Sequence, residues 1–518
     1  MIANEQNEKK RRMHPAALVA IAVCTALGLS AAARAETHFV PRLGVDATWV
    51  DNVNLAPPGA AKDSELIWQA RPGLMFTHYS DRVQAFADYT FQAVHFTEDS
   101  HTETYNQAQI GLLGEILRDW FYVDLGGTQS QASADPTQRT NVGNLFQVGN
   151  IADVRTWYAT PILHHSFKWA ELTATYTRAR VDYAEANDLT TLNIQDDSKS
   201  NTTAISLNSV DRESTLTWAT HYTREDVNYD VGLPYRNDRL TAEAGYRVTA
   251  PLRLLVQGGL ESDPRIRSDD GGLDESSWAA GFDLRSGLRM ELRALAGHRF
   301  FGNSYEFLWR YTGRALEASV TYTEAATTDS QTRVLTGVAP PGGFPAQIDP
   351  TFDRLTNDVY ISKALGGRFG LRGRLTEIYF AVTAEEREYV GTLAGLTDKF
   401  KGASVQLTRR LGPRLNLLAS GGYTKSNLRE GTDYTEALYN VTLARQLGTR
   451  TALTLSGNRV DRSGSQGYDA NWVVLGFTMN FGAPGEVGAQ GGGYRGPSGG
   501  ARGSQPARPT LPTGPRLP

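Results

Sequence analysis

Along most of this chain apolar and polar residues alternate one by one. In "ANWVVLGFTMNF", residues 470 to 481, Val473, Leu475, Phe477, Met479 and Phe481 share one face, and Trp472, Val474, Gly476, Thr478 and Asn480 share the other. A period of two is the mark of a strand with two unlike faces. The same rhythm runs through "LTAEAGYRV", where Leu240, Ala242, Ala244 and Tyr246 oppose Thr241, Glu243 and Arg247, and through "SYEFLWRYT", where Tyr305, Phe307, Trp309 and Tyr311 oppose Glu306 and Arg310. It recurs in "TLTWATHYT", "ALEASVTYT", "LNLLASGGYT" and "TALTLSGN". Helical spacing fits these segments badly, and their Thr, Val, Tyr and Trp favour strands.

The links between strands alternate in length. Tight links read "SDR" (80–82), "RD" (118–119), "DRE" (211–213), "GLR" (287–289), "GR" (313–314), "GGR" (366–368), "GPR" (412–414) and "GTR" (448–450). Every other link is longer, as in "DNVNLAPPGAAKDS", "EANDLTTLNIQDDSKSN" and "TDSQTRVLTGVAPPGGFPAQIDPTFD". Short turns at one end and long polar loops at the other predict an all-β fold, a transmembrane antiparallel up-and-down barrel of the outer-membrane type. Counting gives about 22 strands between residues 38 and 481, or about 16 to 22 if short strands fuse, with both termini at the short-turn end. A closed sheet suits lipid because it leaves no unpaired backbone edge. A soluble propeller or sandwich would explain neither the alternating links nor the aromatic-rich faces this close to the end of the chain.

Composition then bounds the ends. With 518 residues, 40% of them hydrophobic, and a mean hydropathy of -0.38, the chain could form two or three soluble domains or one large barrel. Lys9, Lys10, Arg11 and Arg12 precede an apolar run from Pro15 to Leu29, and Ala33-Arg34-Ala35 follows as a small-x-small cleavage pattern. Residues 1–35 therefore read as a secretory signal peptide; an apolar run this short spans a membrane poorly. Cys24, the only cysteine, falls inside it, so the exported chain would carry neither thiol nor disulfide. Removing the segment's five basic and two acidic residues takes the formal charge from -4 to -7, which points away from nucleic acid. The barrel then occupies residues 36–481. Residues 482–518 are rich in Gly, Pro and Arg, lack the apolar content for a core, and read as a disordered periplasmic tail. Its Arg495, Arg502, Arg508 and Arg516 against the single Glu486 suit either an arm for an acidic partner or a solubilising extension.

The terminal strand, with an aromatic end and apolar residues at alternate positions, resembles the signal read by the outer-membrane barrel assembly machinery. That resemblance gives Phe477, Met479 and Phe481 the signal role and makes the machinery a partner. The start of the barrel carries a second resemblance. "PRLGVDATWVDNVNLAP" (41–57), "SELIWQARPGL" (64–74) and Arg82 opening "RVQAFADYTFQ" resemble the beginning of the PEP-CTERM system-associated outer-membrane β-barrel family, most specifically at Asp51-Asn52-Val53-Asn54-Leu55 and Pro72-Gly73. Trp49-Val50 and the long tail differ from its pattern. The resemblance implies a porin-like barrel in the outer membrane of a Gram-negative bacterium, associated with exopolysaccharide and exosortase loci. Its partners would be outer-membrane lipid, lipopolysaccharide and periplasmic polysaccharide-export components, with the long loops extracellular. The residues themselves give "DNVNLAP" a capping role, since Asp and Asn bond to nearby backbone where the first strand ends.

No pattern points to an enzyme or a cofactor. His164 and His165 are adjacent, so on a strand they face opposite ways and cannot easily chelate one metal. Nucleophile-elbow and zinc spacings are lacking, and the acidic "SDDGGLDES" (268–276) lacks calcium-loop spacing. The strands begin within a few residues of Glu36, which leaves no room for the folded N-terminal plug of a siderophore-type transporter.

The informative set is the polar face of the six strands between 238 and 327: Glu243, Arg247, Arg253, Asp283, Arg285, Arg289, Glu291, Arg293, Glu306, Arg310 and Glu317. An Arg facing lipid at the midplane costs ~2–4 kcal/mol, so this strict parity places the set on the lumen side. It would either guide polar or charged solutes or brace the wall as an ion-pair lattice. Two functions follow: a channel or accessory barrel for exopolysaccharide export, or a structural or surface-display barrel that binds matrix or envelope components without transport.

The terminal strand supplies a test. Truncation after Phe481 should leave membrane insertion intact and removal of 470–518 should abolish it, read as the heat-modifiable band of a folded barrel. Normal assembly of a Phe481→Ser variant, with loss of assembly on tail removal, would show that the signal lies elsewhere.

Overall fold

The computed structural model describes residues 36–482, leaving out 134, 136, 185–196, 212, 231–233, 263–272, 288, 337–357, 391–392 and 429–431. The expected signal peptide and the tail beyond residue 482 lie outside the described residues. Twenty-two strands alternate up and down. The first eleven are β1 (Glu36–Val50), β2 (Glu65–Tyr79), β3 (Val83–Phe96), β4 (His101–Leu117), β5 (Phe121–Ser133), β6 (Ile151–Ser166), β7 (Ala170–Ala184), β8 (Ser198–Ser209), β9 (Leu216–Tyr229), β10 (Tyr235–Arg247) and β11 (Leu252–Glu261). The rest are β12 (Glu275–Ser286), β13 (Met290–Arg299), β14 (Gly302–Thr312), β15 (Leu316–Thr327), β16 (Tyr360–Arg372), β17 (Thr376–Tyr389), β18 (Thr397–Gly412), β19 (Leu415–Asn427), β20 (Tyr434–Gln446), β21 (Thr451–Gly464) and β22 (Tyr468–Asn480). A short helix, α1 (Asp329–Thr336), follows β15.

Each strand pairs antiparallel with the next, and β22 returns to β1 in a ladder running from Arg42↔Asn480 to Val50↔Trp472. The sheet is therefore a closed barrel. Phe481 N–H donates to Pro41 C=O at 2.8 Å, so the pairing continues one residue past β22. The links at the rim holding both ends of the barrel, here the lower rim, are two to six residues long. Those at the upper rim include 51–64, 134–150 and 328–359.

Two expectations about links need correcting. "GGR" at 366–368 is no turn; it lies inside β16, and the turn falls at 373–375. A Cβ on Gly367 would stand 2.8 Å from Val382 Cγ2, so that glycine answers to strand packing. Nor is every upper link long, since 97–100, 300–301 and 465–467 are tight.

The two faces differ as the alternation requires. Outward and exposed are Leu43 and Val45 on β1, Leu254 and Val256 on β11, and Leu475 and Phe477 on β22. Aromatic residues border this apolar band. Trp49, Trp68, Trp278, Tyr305 and Tyr423 stand toward the upper rim; Phe39, Tyr79, Trp120, Trp169 and Phe481 stand at the lower one. At the lower rim, rings stack in a row from Trp120 to His165 (3.8 Å), Phe167, Trp169 and Trp218.

The barrel is bent sharply at β10–β13, and three glycines permit it. A Cβ on Gly259 would lie 2.4 Å from Leu240 O, one on Gly281 1.8 Å from Ala294 O, and one on Gly297 1.9 Å from Trp278 O. All three point to the same face as Glu243 and Arg293. Without side chains there, each strand folds toward that face over its neighbour. Arg293 Nη2 and Glu243 Oε2 consequently meet at 2.5 Å although β11 and β12 lie between them and their rows are four residues apart, a backbone separation of about 20 Å on a flat sheet. That convergence makes their face the concave one.

Adjacent glycines make a matched test. Gly259→Ala should lower the unfolding temperature by the equivalent of about 1–3 kcal/mol, the usual cost of overpacking. Gly258→Ala, with nothing within 4 Å of its new Cβ, should be close to neutral. Equal effects would mean that the bend does not depend on the missing side chain.

Candidate functional site

The inner wall divides by chemistry. From β10 to β17 it is charged, and the charges pair with one another. Arg293 bridges Glu243 (2.5 Å) and Glu306 (3.2 Å). Arg285 bridges Asp283 (3.1 Å) and Glu291 (3.0 Å), and Glu291 reaches on to Arg310 at 3.5 Å. Arg372 lies between Glu317 (3.8 Å) and Glu377 (3.7 Å), while Arg247 holds Glu213 of the lower turn at 2.7 Å. Arg253 donates to Ser214 C=O at 3.4 Å. Register puts ten of the eleven sequence-selected residues on this concave face. The exception, Arg289, sits in the turn below β13 and is exposed.

The most deeply buried pair of this sector was not singled out in the sequence. Arg299 donates Nε and Nη2 to Glu261 Oε2 at 3.0 and 2.9 Å and Nη1 to Glu324 C=O at 2.9 Å. The other Glu261 oxygen accepts Phe300 N–H at 3.0 Å, and the Arg299 and Glu261 side chains are 9% and 0% exposed. Both lie at the upper ends of short strands with inward parity, the only signal a sequence holds for them. Geometry of this kind satisfies a buried charge pair on both sides, the condition under which it persists.

Two elements fold in at the upper rim. Helix α1 opens with a capping box: Gln331 N–H donates to Thr328 Oγ1 (3.3 Å) and Thr328 N–H to Gln331 Oε1 (3.0 Å). Its first turn joins two parts of the wall. Asp329 accepts from Tyr360 Oη (2.9 Å) and Arg387 Nη1 (3.3 Å) on β16 and β17. Ser330 Oγ takes a bond from Ser198 Oγ of β8 (2.9 Å), and Gln331 Nε2 donates to Glu225 of β9 (2.8 Å). The helix thereby ties β8–β9 to β16–β17 across the upper end of the bent sector.

Link 134–150 does the same on the other side. Phe146 meets Trp472 edge-on at 5.5 Å among Val50, Ile67 and Phe96. Arg462, fully buried, donates to Gln138 C=O (2.8 Å) and Thr137 C=O (3.0 Å) and lies 3.8 Å above the Tyr434 ring.

Between these anchors two rows of the wall are polar without charge. Register aligns Thr160, Thr177 and Thr202 across β6–β8, with Thr160 and Thr177 hydroxyls 2.8 Å apart. Across β18–β21 it aligns Gln406, Ser420, Asn440 and Asn458, and Asn440 Nδ2 donates to Asn458 Oδ1 at 2.6 Å.

Other sequence-selected residues have clear places. Asn52 is buried and bonds Ala56 N–H, Ala56 C=O and Asp469 C=O, while Asp51 holds Asn471; "DNVNLAP" thus fastens the first loop to β22. His164 turns inward to Thr173, His165 outward to Trp120. Phe477 and Phe481 are exposed on the outer face and Met479 is half-buried, all at the closing seam. Most of the acidic stretch 268–276 lies outside the described residues. Among the described residues no three His, Cys, Asp or Glu side chains converge on a metal position.

Neither protein-family models nor curated proteins give a match to this chain. Solved structures do resemble it. They include the siderophore receptor PirA from Pseudomonas aeruginosa (12% identity, 87% of this chain and 81% of that one, TM-score 0.42) and the FrpB iron transporter from Neisseria meningitidis (9%, 86% and 83%, 0.47). A BenF-like porin from Pseudomonas fluorescens Pf-5 is another (11%, 86% and 99%, 0.35). At these identities and scores no substrate or activity carries over to this chain, and the barrel assignment rests on its own strand pairing.

Arg462 offers a direct test of the inward loop. Arg462→Ala removes both bonds to the loop backbone and leaves Glu436 without the guanidinium 3.7 Å away. Trypsin should then cut at Arg139 at least tenfold faster than in the parent, where Arg139 is half-buried. Unchanged cutting would show that the loop is held by its apolar contacts alone.

Proposed function

We propose that this protein is an outer-membrane barrel that passes polar, largely uncharged solutes. The observation that carries this reading is the division of the inner wall. Its charges pair with one another, most of them in the bent sector and two further pairs, Arg42–Asp88 and Arg71–Asp46, on β1–β3, while the β6–β8 and β18–β21 walls expose hydroxyls and amides. Such groups both donate and accept, so a polyhydroxylated solute can exchange hydrogen bonds along them at small net cost. A wall of one sign would instead concentrate a counter-ion. The outer band, with apolar residues bordered by aromatics, supports a location in lipid, and the alternation of links supports an extracellular upper rim and a periplasmic lower one.

Association with exopolysaccharide synthesis or export is the finer form of this reading. Its support is the resemblance of residues 41–92 to the PEP-CTERM-associated barrels, together with a lining suited to glycans. The partners then include the assembly machinery, lipopolysaccharide and polysaccharide-export components, and no catalytic role is assigned. A second reading, a structural barrel that does not transport, draws on α1 and the 134–150 link, both of which narrow the upper opening.

Reconstituted protein separates the two. We expect currents with weak preference between cation and anion, and swelling of liposomes in neutral malto-oligosaccharides. Thr202→Lys with Ser456→Lys should move selectivity toward anions. Arg293→Gln should cost about 2 kcal/mol of stability, the scale of a hydrogen-bonded charge, and leave selectivity unchanged. A folded, inserted barrel that carries neither current nor sugar would remove the transport reading in favour of the structural one.

A further inference from the structure

The outer face of β17–β20 carries a charge pattern that the chain itself does not balance. Lys401 and Lys425 are cross-strand partners on β18 and β19, both exposed and on the same side. Like charges in that relation repel and weaken a sheet. Their neighbours on the flanking strands are Ala384 and Thr435, which are uncharged. Adjacent lysines are treated differently: Lys399 holds Glu386 at 3.2 Å and Lys363 holds Glu388 at 3.3 Å. Among the described residues no carboxylate lies within ion-pair distance of Lys401 or Lys425. One step below in register, Ala403 faces Tyr423, whose exposed ring belongs to the upper aromatic border. The two ammonium groups thus project where a lipid's acyl chains give way to its headgroup.

We propose that Lys401 and Lys425 form a binding site for the phosphate of a phosphorylated lipid headgroup in the leaflet at the upper rim, lipopolysaccharide in the outer-membrane reading on which this rests. A phosphate between them converts a repulsive pair into two charge-assisted contacts. Tyr423 supports the glucosamine end of the lipid from below, and its acyl chains lie on Val405 and Val441 of the apolar band. The site binds lipid from the side and does not involve the lumen.

Diphosphoryl lipid A and its dephosphorylated form, titrated against the folded barrel in detergent, provide the test, with bound lipid counted by native mass spectrometry. The parent should retain the diphosphoryl form, and retention should fall as salt screens the charges. Lys401→Gln with Lys425→Gln should weaken binding roughly tenfold or more, the scale set by two cations near a charged lipid surface. Lys399→Gln, which removes a lysine already paired, should leave it unchanged. Equal retention of both lipid forms would overturn the proposal, as would full retention by the double variant. Displacement of the lipid by inorganic phosphate at equal concentration would also overturn it, since that marks a simple anion site. Membrane fractionation of cells reports separately on the outer-membrane location, so failure of that reading is distinguishable from failure of the site.

Discussion

The ladder between β1 and β22 is the constraint from which the remaining features follow. It joins residues more than 400 positions apart, from Arg42↔Asn480 to Val50↔Trp472, and it removes the last open edge of the sheet. In hydrocarbon an unpaired N–H or C=O has no water to turn to and costs several kcal/mol, so a sheet of this length is viable in lipid only when closed. Closure in turn demands that each strand keep its phase, because a slip of one residue would exchange the two faces. Register shifts in the described pairings occur between Glu115 and Leu117 and between Arg410 and Gly412. Both lie at the lower ends of their strands, beyond the stretch where a flipped face would meet acyl chains.

A closed sheet of 22 strands is too wide for its own side chains to fill, which leaves a second problem inside. The chain meets it in two ways. Glycines at 259, 281 and 297 let one sector bend until its arginines and carboxylates touch, turning loose charges into a lattice. The described part of link 134–150 and helix α1 fold in from the upper rim and are secured by buried arginines, Arg462 and Arg387 respectively. In each case a guanidinium bonds to the inward segment and lies over an aromatic ring, Tyr434 for one and Tyr360 for the other. The planar fork allows both contacts at once, which an ammonium group could not match.

Period-two alternation made the barrel legible, since parity is a local property that survives in any single strand. The even number of strands was legible for the same reason. What lay beyond the sequence were features set by neighbours distant in the chain. Gly366-Gly367 looks like a turn because glycine punctuates turns, but here it relieves contact with Val382 on the next strand. Phe300-Phe301 looks like strand and is a two-residue link, since Glu261 of another strand captures the Phe300 N–H. Parity marked Glu243 and Arg293 as sharing a face, yet their contact across two intervening strands depends on a bend that three separate glycines create. Arg387 and Arg462 have the same inward parity as many polar residues; only the loops they hold distinguish them.

The separation of charge on the inner wall bears on how such a barrel can be both stable and permissive. Ion pairs exposed to a wet lumen contribute little each, and their strength depends on exclusion of water and on shared partners. Gathering them in the bent sector provides both: Arg293 and Arg285 each serve two carboxylates, and Arg299 with Glu261 is nearly sealed from solvent. The rows across β6–β8 and β18–β21 are then polar without fixed charge, Thr bonding to Thr and Asn to Asn across strands, and the charges of β1–β3 are paired as well, Arg42 with Asp88 and Arg71 with Asp46. A solute meeting those rows displaces weak, replaceable bonds rather than charged ones. The same division leaves the uncharged rows of β6–β8 and β18–β21 chemically available to whatever passes.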